Sequence, residues 1–353
     1  MIKVIKDKIN WSQELALAKN SDFYHSYDYH HLSKNDDEHA ILLKYSDGIN
    51  SILLPLIIRD IPNSTYKDAT SVYGYAGPLI VCRNRTFDLE TFNKELLSYF
   101  NENRIISLFS RLHPFFEEEE NMLSHIGSVN SLGNVVYINL NNTLEEQRAK
   151  YNRRLKTYIN KARRQCSIIK GNIEEHLKIF VELYYDNMKR VNADKRYFFT
   201  YEYFKNLLTS NDLDSELLLC INNGNKEIIG GAIFIKTNKI VQYHLSGMHA
   251  KWSHVNPIKL IIDTMRIWAT EQGYQYLNLG GGKGSSEDSL FRFKNSFSND
   301  LRTFKIWKYI VNPKIYNELT QENLINQSKD PLNDIDFFPA YRYKTKLKTV
   351  EKV

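Results

Sequence analysis

The chain has 353 residues, enough for two domains, and its 42% hydrophobic and 25% charged content describes a soluble globular protein with real cores. Cys82, Cys166 and Cys220 are far apart, with no CxxC pair and no His at ligand spacing, so neither a disulfide framework nor a metal site is expected. The start MIKVIKDKIN has no apolar signal region and no apolar run nears the roughly 20 residues of a membrane span, so a cytoplasmic location is expected. The formal net charge of +6 is local: Arg148 to Arg164 holds eight Lys or Arg and no acid, and the rest of the chain sets 39 basic residues against 41 acidic ones.

In chain order, Tyr24 to His31 is rich in aromatics and His, and strands follow at Ala40–Tyr45 and Ile49–Arg59. Next come the aromatic-glycine run Ser71-Val-Tyr-Gly-Tyr-Ala-Gly-Pro78, a helix-length apolar segment (Leu89–Phe100) and a strand (Ile105–Leu112) that leads into Arg111, His113 and Pro114. His113 reads as a strand end before a proline stop. Arg111 is the better anion ligand.

The second half opens with a strand at Val135–Leu140 and then the basic segment. Placed on a helical wheel, Tyr151, Leu155, Tyr158, Ile159 and Ala162 fall on one side, with Lys150, Arg153, Arg154, Lys161 and Arg164 opposite. That face is either a solvated surface or an anion-binding face for phosphates, since Arg offers planar bidentate donors. Helices at Ile173–Val191 and Tyr201–Leu208 lead to strands at Glu216–Ile221, Ile228–Lys236 and Ile240–Gly247, joined by turns at Asn222-Asn223-Gly224 and Thr237-Asn238. Alternation on the last strand puts Gln242, His244 and Ser246 on one face, leaving His244 as either a structural residue or a proton-transfer group. Asn256-Pro257 has the form of an N-cap and first helical residue for a helix over Ile258–Gln272, which Gly273 stops.

A further strand then runs into QYLNLGGGKGSSEDSLFRFKNSF, Gln275 to Phe297. Three glycines let a substrate approach the main chain, and cations beside bare backbone can stabilise an oxyanion. The alternation of Phe291, Arg292, Phe293 and Lys294 is that of an extended segment, which would point both cations the same way. Glu287 and Asp288 either accept a proton from an attacking ammonium or cap the following segment. No helix is expected to open beyond the glycines, so phosphate binding is assigned to the basic helix. A strand at Thr303–Val311 closes the half; Phe337–Arg342 is aromatic enough to dock, and Lys344–Val353 is expected to fray. Each half reads as helices, antiparallel strands, a helix and another strand, so the fold class is α+β, divided into residues 1–134 and 135–353.

The ordered set Val72-Tyr-Gly-Tyr-Ala-Gly-Pro78, Arg111-x-His-Pro114, the basic helix Tyr151–Arg164, Leu277-x-Leu-Gly-Gly281 and Phe293-Lys-x-x-Phe297 resembles the Fem-type aminoacyl transferases and their acyltransferase relatives, from about Tyr24 to Leu319. The resemblance implies two tandem GNAT-like domains, each a mixed, mostly antiparallel sheet flanked by helices. It implies amide formation by transfer of an aminoacyl or acyl group to an amine of a cell-envelope glycan precursor, with aminoacyl-tRNA or acyl-CoA as co-substrate and no tightly bound cofactor. Lys294 is then the charge stabiliser at the transferred carbonyl, with His244 and Asp288 as the other catalytic candidates. Gly280, Gly281, Gly282, Asn256 and Arg292 are donor-binding candidates; Arg153, Arg154, Lys150, Arg111 and Tyr75 would bind the acceptor and its phosphates. The implied partners are a phosphorylated sugar or lipid-linked precursor and tRNA, met at the membrane periphery. Two features depart from the pattern. The long helical hairpin of Fem enzymes is absent, and Met248–Pro257 lacks the glycines on which ordinary GNAT acetyltransferases cradle CoA pyrophosphate. A non-catalytic nucleic-acid-binding protein and a scaffold are the readings from other classes.

Overall fold

The computed structural model describes residues 1–81, 87–117, 122–123, 125–326 and 337–344; Cys82 and the tail residues 345–353 lie outside them. The strands are β1 (Ile2–Ile5), β2 (His39–Ser46), β3 (Ser51–Asp60), β4 (Lys67–Thr70), β5 (Leu79–Val81), β6 (Ile105–Arg111), β7 (Ser128–Asn139), β8 (Cys166–Lys170), β9 (Asp214–Asn222), β10 (Ile228–Thr237), β11 (Ile240–Met248), β12 (Tyr276–Gly280) and β13 (Leu301–Ile310).

The chain divides into two compact units, neither of them contiguous. One comprises Met1–Lys19, Ser33–Ser131 and Lys305–Val353; the other comprises Asn20–Leu32 and Leu132–Phe304. This differs from a single cut after residue 134 in two respects. The aromatic segment expected in the first half belongs to the second unit, and the last strand contributes mainly to the first.

In the first unit the sheet order is β1-β2-β3-β4-β6-β13, with β5 on β3. The β2–β3 hairpin forms because Asp47 turns the chain, its carboxylate accepting from the amides of Ile49 at 2.9 Å and Asn50 at 2.6 Å. All these pairings are antiparallel except β4 with β6, which are joined through the helix Leu89–Glu102. That helix buries Phe92, Leu96 and Phe100 against a core with Ile41, Leu54, Leu108 and Trp307. The tail docks as expected: Tyr341 is buried, and its hydroxyl donates to Asp68 Oδ2 at 3.0 Å.

The second unit repeats the plan. Its sheet order is β7-β12-β11-β10-β9-β8, and β11 with β12 is the parallel pair, joined through the helix Pro257–Glu271. That helix packs Leu260, Ile261, Met265 and Ala269 against β9–β12, together with Leu155, Ile159 and Ala162 of the helix Arg153–Gln165. Both units are therefore mixed, mostly antiparallel sheets flanked by helices. Among the described residues no helix is long and apolar enough to cross a membrane.

Candidate active site

The second unit's parallel pair is short. β11 and β12 match register only at Ile240–Tyr276, Val241–Leu277 and Gln242–Asn278. Beyond that point β11 carries a bulge: Ile233 of β10 faces Leu245 and Phe234 faces Tyr243, so His244 is the extra residue between them. The two parallel strands part where the bulge begins, and β12 turns into the glycine loop.

At the end of β12, Gly280 adopts a left-handed φ of 77°, which glycine reaches without strain. A Cβ on Gly282 would lie 2.0 Å from the Ser286 carbonyl oxygen, so this position also requires glycine. The chain then enters a helix, Ser289–Asn295, where an extended segment was expected. Asp288 decides that outcome. Its carboxylate N-caps the helix by accepting from the Phe291 amide at 2.9 Å, and it ties back the loop by accepting from the Lys283 amide at 3.3 Å. Burial alone would raise the Asp288 carboxyl, but these amides together with the Lys294 charge hold it below its ordinary range. Of the two readings left open for Asp288, the geometry is that of the cap.

On a helix, residues two apart diverge, so Arg292 and Lys294 do not point together. Arg292 is exposed and donates to the Glu287 carbonyl at 3.0 Å. Lys294 turns inward, 8% exposed, and its Nζ donates to the Gly281 carbonyl oxygen at 2.6 Å. Burial pulls this amine down to about 8, with the Asp288 carboxylate pushing the other way. The structure thus brings together Gly280, Gly281, Gly282, Asp288 and Lys294, and leaves Arg292 outside.

His244 does not share a regular face with Gln242 and Ser246, because the bulge breaks the alternation. The Tyr243 hydroxyl bonds to Ser246 Oγ, three residues on. The His244 ring meets Phe23 and Tyr29 edge-on, at 5.3 and 5.9 Å between centroids, and its Nε2 is buried without a hydrogen-bond partner among the described residues. Burial lowers it to about 4, with Asp22 opposing, so it is neutral at pH 7 and a weak base.

The basic segment is not one helix. A first helix, Leu144–Ala149, takes in Arg148 and stops, and Asn152 N-caps a second helix, Arg153–Gln165, through the Leu155 amide at 2.7 Å. Lys150 therefore lies between helices, where it pairs with Asp300 at 2.6 Å instead of joining the cationic face. Arg163 and Arg148 turn to the buried Asp263, at 2.6 and 3.8 Å. Arg153, Arg154, Lys161 and Arg164 are exposed and form no ion pair among the described residues. Asn256 occupies the cap position of the helix Pro257–Glu271 in a left-handed conformation, φ 62°, without a side-chain cap bond; its Oδ1 accepts instead from Lys259 Nζ at 2.6 Å. Proline supplies no amide at that helix start, and the Lys259 amide is taken by the Asn256 carbonyl, so few donors remain for a pyrophosphate.

Arg111 and Tyr75 belong to the first unit. The Arg111 guanidinium lies over the rings of Phe109 and Tyr73, at 5.1 and 5.8 Å. Tyr75 meets the His113 ring edge-on, and burial raises its hydroxyl.

Sequence reasoning missed a chain of buried polar groups beside the glycines. The Gly280 amide donates to Asn278 Oδ1 at 3.0 Å, Asn278 Nδ2 to Gln242 Oε1 at 2.8 Å, and Gln242 Nε2 to Asp22 Oδ2 at 2.6 Å. A signal existed: Asn278 and Gln242 are amides inside strands otherwise apolar at their buried positions.

A family model described as acetyltransferase (GNAT) domain matches residues 146–295, which contain the bulged strand, the crossover helix, the glycine loop and Lys294. This chain is an acyltransferase built on a GNAT domain. Its GNAT fold is shared with solved structures at low identity. FemX is similar with a TM-score of 0.68 and 14% identity, over 90% of this chain and 99% of that one. A conserved protein from Bacteroides thetaiotaomicron matches at 0.55 and 11%, over 88% and 100%. The C-terminal domain of a putative lysylphosphatidylglycerol synthetase from Agrobacterium fabrum matches at 0.53 and 14%, over 85% and 91%. A comparison with curated proteins found no match.

Proposed function

We propose that the protein forms an amide by moving an aminoacyl group from aminoacyl-tRNA to an amine of a phosphorylated cell-envelope glycan precursor, either a sugar nucleotide or a lipid-linked unit. The observation that carries this reading is the buried Lys294 amine, held on the glycine loop at the mouth of the parted strands. In the transfer, the neutral amine of the acceptor attacks the ester carbonyl and the tetrahedral oxyanion forms beside Lys294. The charged Nζ keeps protons to donate beyond the one given to Gly281, and in a water-poor site such a donor is worth about 3 kcal/mol or more. Collapse expels the ribose oxygen of the donor, which takes up the proton released by the attacking nitrogen. An activated ester needs no strong base, which agrees with a weakly basic His244 and a capping Asp288. The acceptor's diphosphate would meet Arg153 and Arg154, and tRNA and a membrane-borne precursor are the partners implied.

Acyl-CoA is the second reading, favoured by the GNAT family match; the sparse amides at Pro257–Lys259 weigh against it. The deciding experiment offers purified protein labelled aminoacyl-tRNA and labelled acyl-CoA, with UDP-amino sugars and lipid-linked glycan precursors as acceptors. Movement of the aminoacyl label supports the first reading and movement of the acyl label the second. Movement of neither overturns both.

A further inference from the structure

The buried amides beside the glycine loop have only one arrangement that satisfies every group. A backbone amide can only donate, so Gly280 requires Asn278 to present its oxygen. The NH2 of Asn278 then faces Gln242, which must answer with its own oxygen, and the remaining NH2 of Gln242 meets the Asp22 carboxylate, which can only accept. Asp22, Gln242 and Asn278 are each no more than 2% exposed, so water cannot substitute for a wrong orientation. Asp22 is itself fixed at the start of a short helical turn: its Oδ1 accepts from the Phe23 amide at 2.6 Å, and its own amide donates to His25 Nδ1 at 3.1 Å. Gln242 and Asn278 are also the last register-matched pair before β11 and β12 separate.

We infer that Asp22, Gln242 and Asn278 are positioning residues: a one-way relay, anchored by a carboxylate, that fixes the peptide entering the glycine loop and through it the seat of Lys294. The bond to Asn278 holds the Leu279–Gly280 peptide plane, and the left-handed turn at Gly280 then aims the Gly281 carbonyl at Lys294 Nζ. The relay rests on the transfer reading only for its kinetic consequence; its structural consequence can be measured without any substrate.

The direction of the relay supplies the test. In Asp22→Asn, one oxygen remains for two donors, the Phe23 amide and the Gln242 NH2; where the Phe23 bond is kept, both amides flip and Asn278 finally presents NH2 to the Gly280 amide, and where it is not, the relay loses its anchor. In Gln242→Glu, the bond to Asn278 survives but a second carboxylate faces Asp22. In the double variant Asp22→Asn/Gln242→Glu, the amide introduced at the first position donates to the carboxylate introduced at the second. That carboxylate accepts from Asn278, and Asn278 again accepts from Gly280. Two readouts are taken on the whole chain: the pH midpoint for labelling Lys294 with an amine reagent, followed by peptide mass spectrometry, and kcat and KM with whichever donor proves active. Each single variant should move the Lys294 midpoint up towards that of an exposed lysine and lower kcat by about tenfold or more, with KM little changed. The double variant should return both values to near wild type, a non-additivity that lost stability alone does not produce. If Asp22→Asn does not fold, Gln242→Glu against the double variant poses the same question. Single variants that match wild type, or a double variant no nearer to wild type than its parents, overturn the relay. If wild type moves neither label, the transfer reading fails while the labelling comparison still decides the relay.

Discussion

The two units share a topology and differ at one seam. In the first, β4 and β6 run parallel from Lys67–Ile105 to Thr70–Phe109, and the pairing is then sewn shut: the Ser71 amide donates to the Phe109 carbonyl at 2.9 Å and the Arg111 amide to Ser71 Oγ at 3.2 Å. In the second, β11 and β12 pair over three positions and then diverge at the His244 bulge, leaving the glycine loop and Lys294 at the mouth of the gap. A closed seam satisfies its backbone within the sheet and offers little to a ligand. An open one leaves strand-end backbone to be satisfied by side chains and substrate, which is the condition for chemistry there. The lesson is that duplication of a fold does not duplicate a site: the first seam takes its register shift at its start, between Lys67 and Asp68, whereas the second has its bulge and three glycines where the strands part.

The comparison breaks most sharply at Lys294. Lys294→Ala should lower kcat/KM by about 10²–10³-fold in a steady-state assay while the melting temperature holds within a few degrees, and an unchanged rate would remove the open seam's claim to the chemistry. Gly280→Ala comes next. It forces a side chain into a left-handed backbone with its Cβ 3.2 Å from Lys294 Nζ, and should cost about tenfold in kcat and about 1 kcal/mol in denaturant unfolding.

pH sharpens the contrast further. In the proposed transfer the charged amine is the active form, so the rate should fall as pH rises through about 8. Stability should move the other way: between about 8 and the ordinary lysine value of 10.5, the unfolded chain still holds a proton that the folded chain has released, so folding gains with rising pH. The difference between wild type and Lys294→Met in unfolding titrations isolates that contribution. Replacing Arg153 and Arg154 with Ala should raise the acceptor KM several-fold, more at low salt than at high, with kcat preserved. The smallest effect belongs to the closed seam: Ser71→Ala should cost about 1 kcal/mol of stability and leave turnover untouched.

Much of this is legible in the sequence, and the parts that are not have physical reasons. The hairpin strands, the helices Ile173–Arg190 and Pro257–Glu271, and the buried stripe Leu155, Ile159, Ala162 follow from periodicity, and the structure carries them with shifts of a residue or two at their ends. The helix Ser289–Asn295 escapes that reading because Phe-Arg-Phe-Lys has a period of two, whereas the Asp288 cap and the Phe291–Lys294 burial set a helical one. Lys150 drops off the cationic face because Asn152 starts a new helix after it. The bulge at His244 has no local signal, since it is defined by the partner strand. Asp22 lies 220 residues from Gln242, a distance at which only the fold brings two residues together.

The exchange of segments also has a consequence for how this protein is made. Synthesis delivers Asn20–Leu32 about a hundred residues before the body of the unit it joins, and Lys305–Val353 after everything else in the unit it completes. A ribosome working from the N-terminus therefore cannot release one finished unit and then the next. The early segment must wait unpaired, and the first unit lacks its last strand until Leu301–Ile310 has been made. Expressed fragments cut between residues 131 and 132 should each lack an essential piece, and activity should return only when both are produced together.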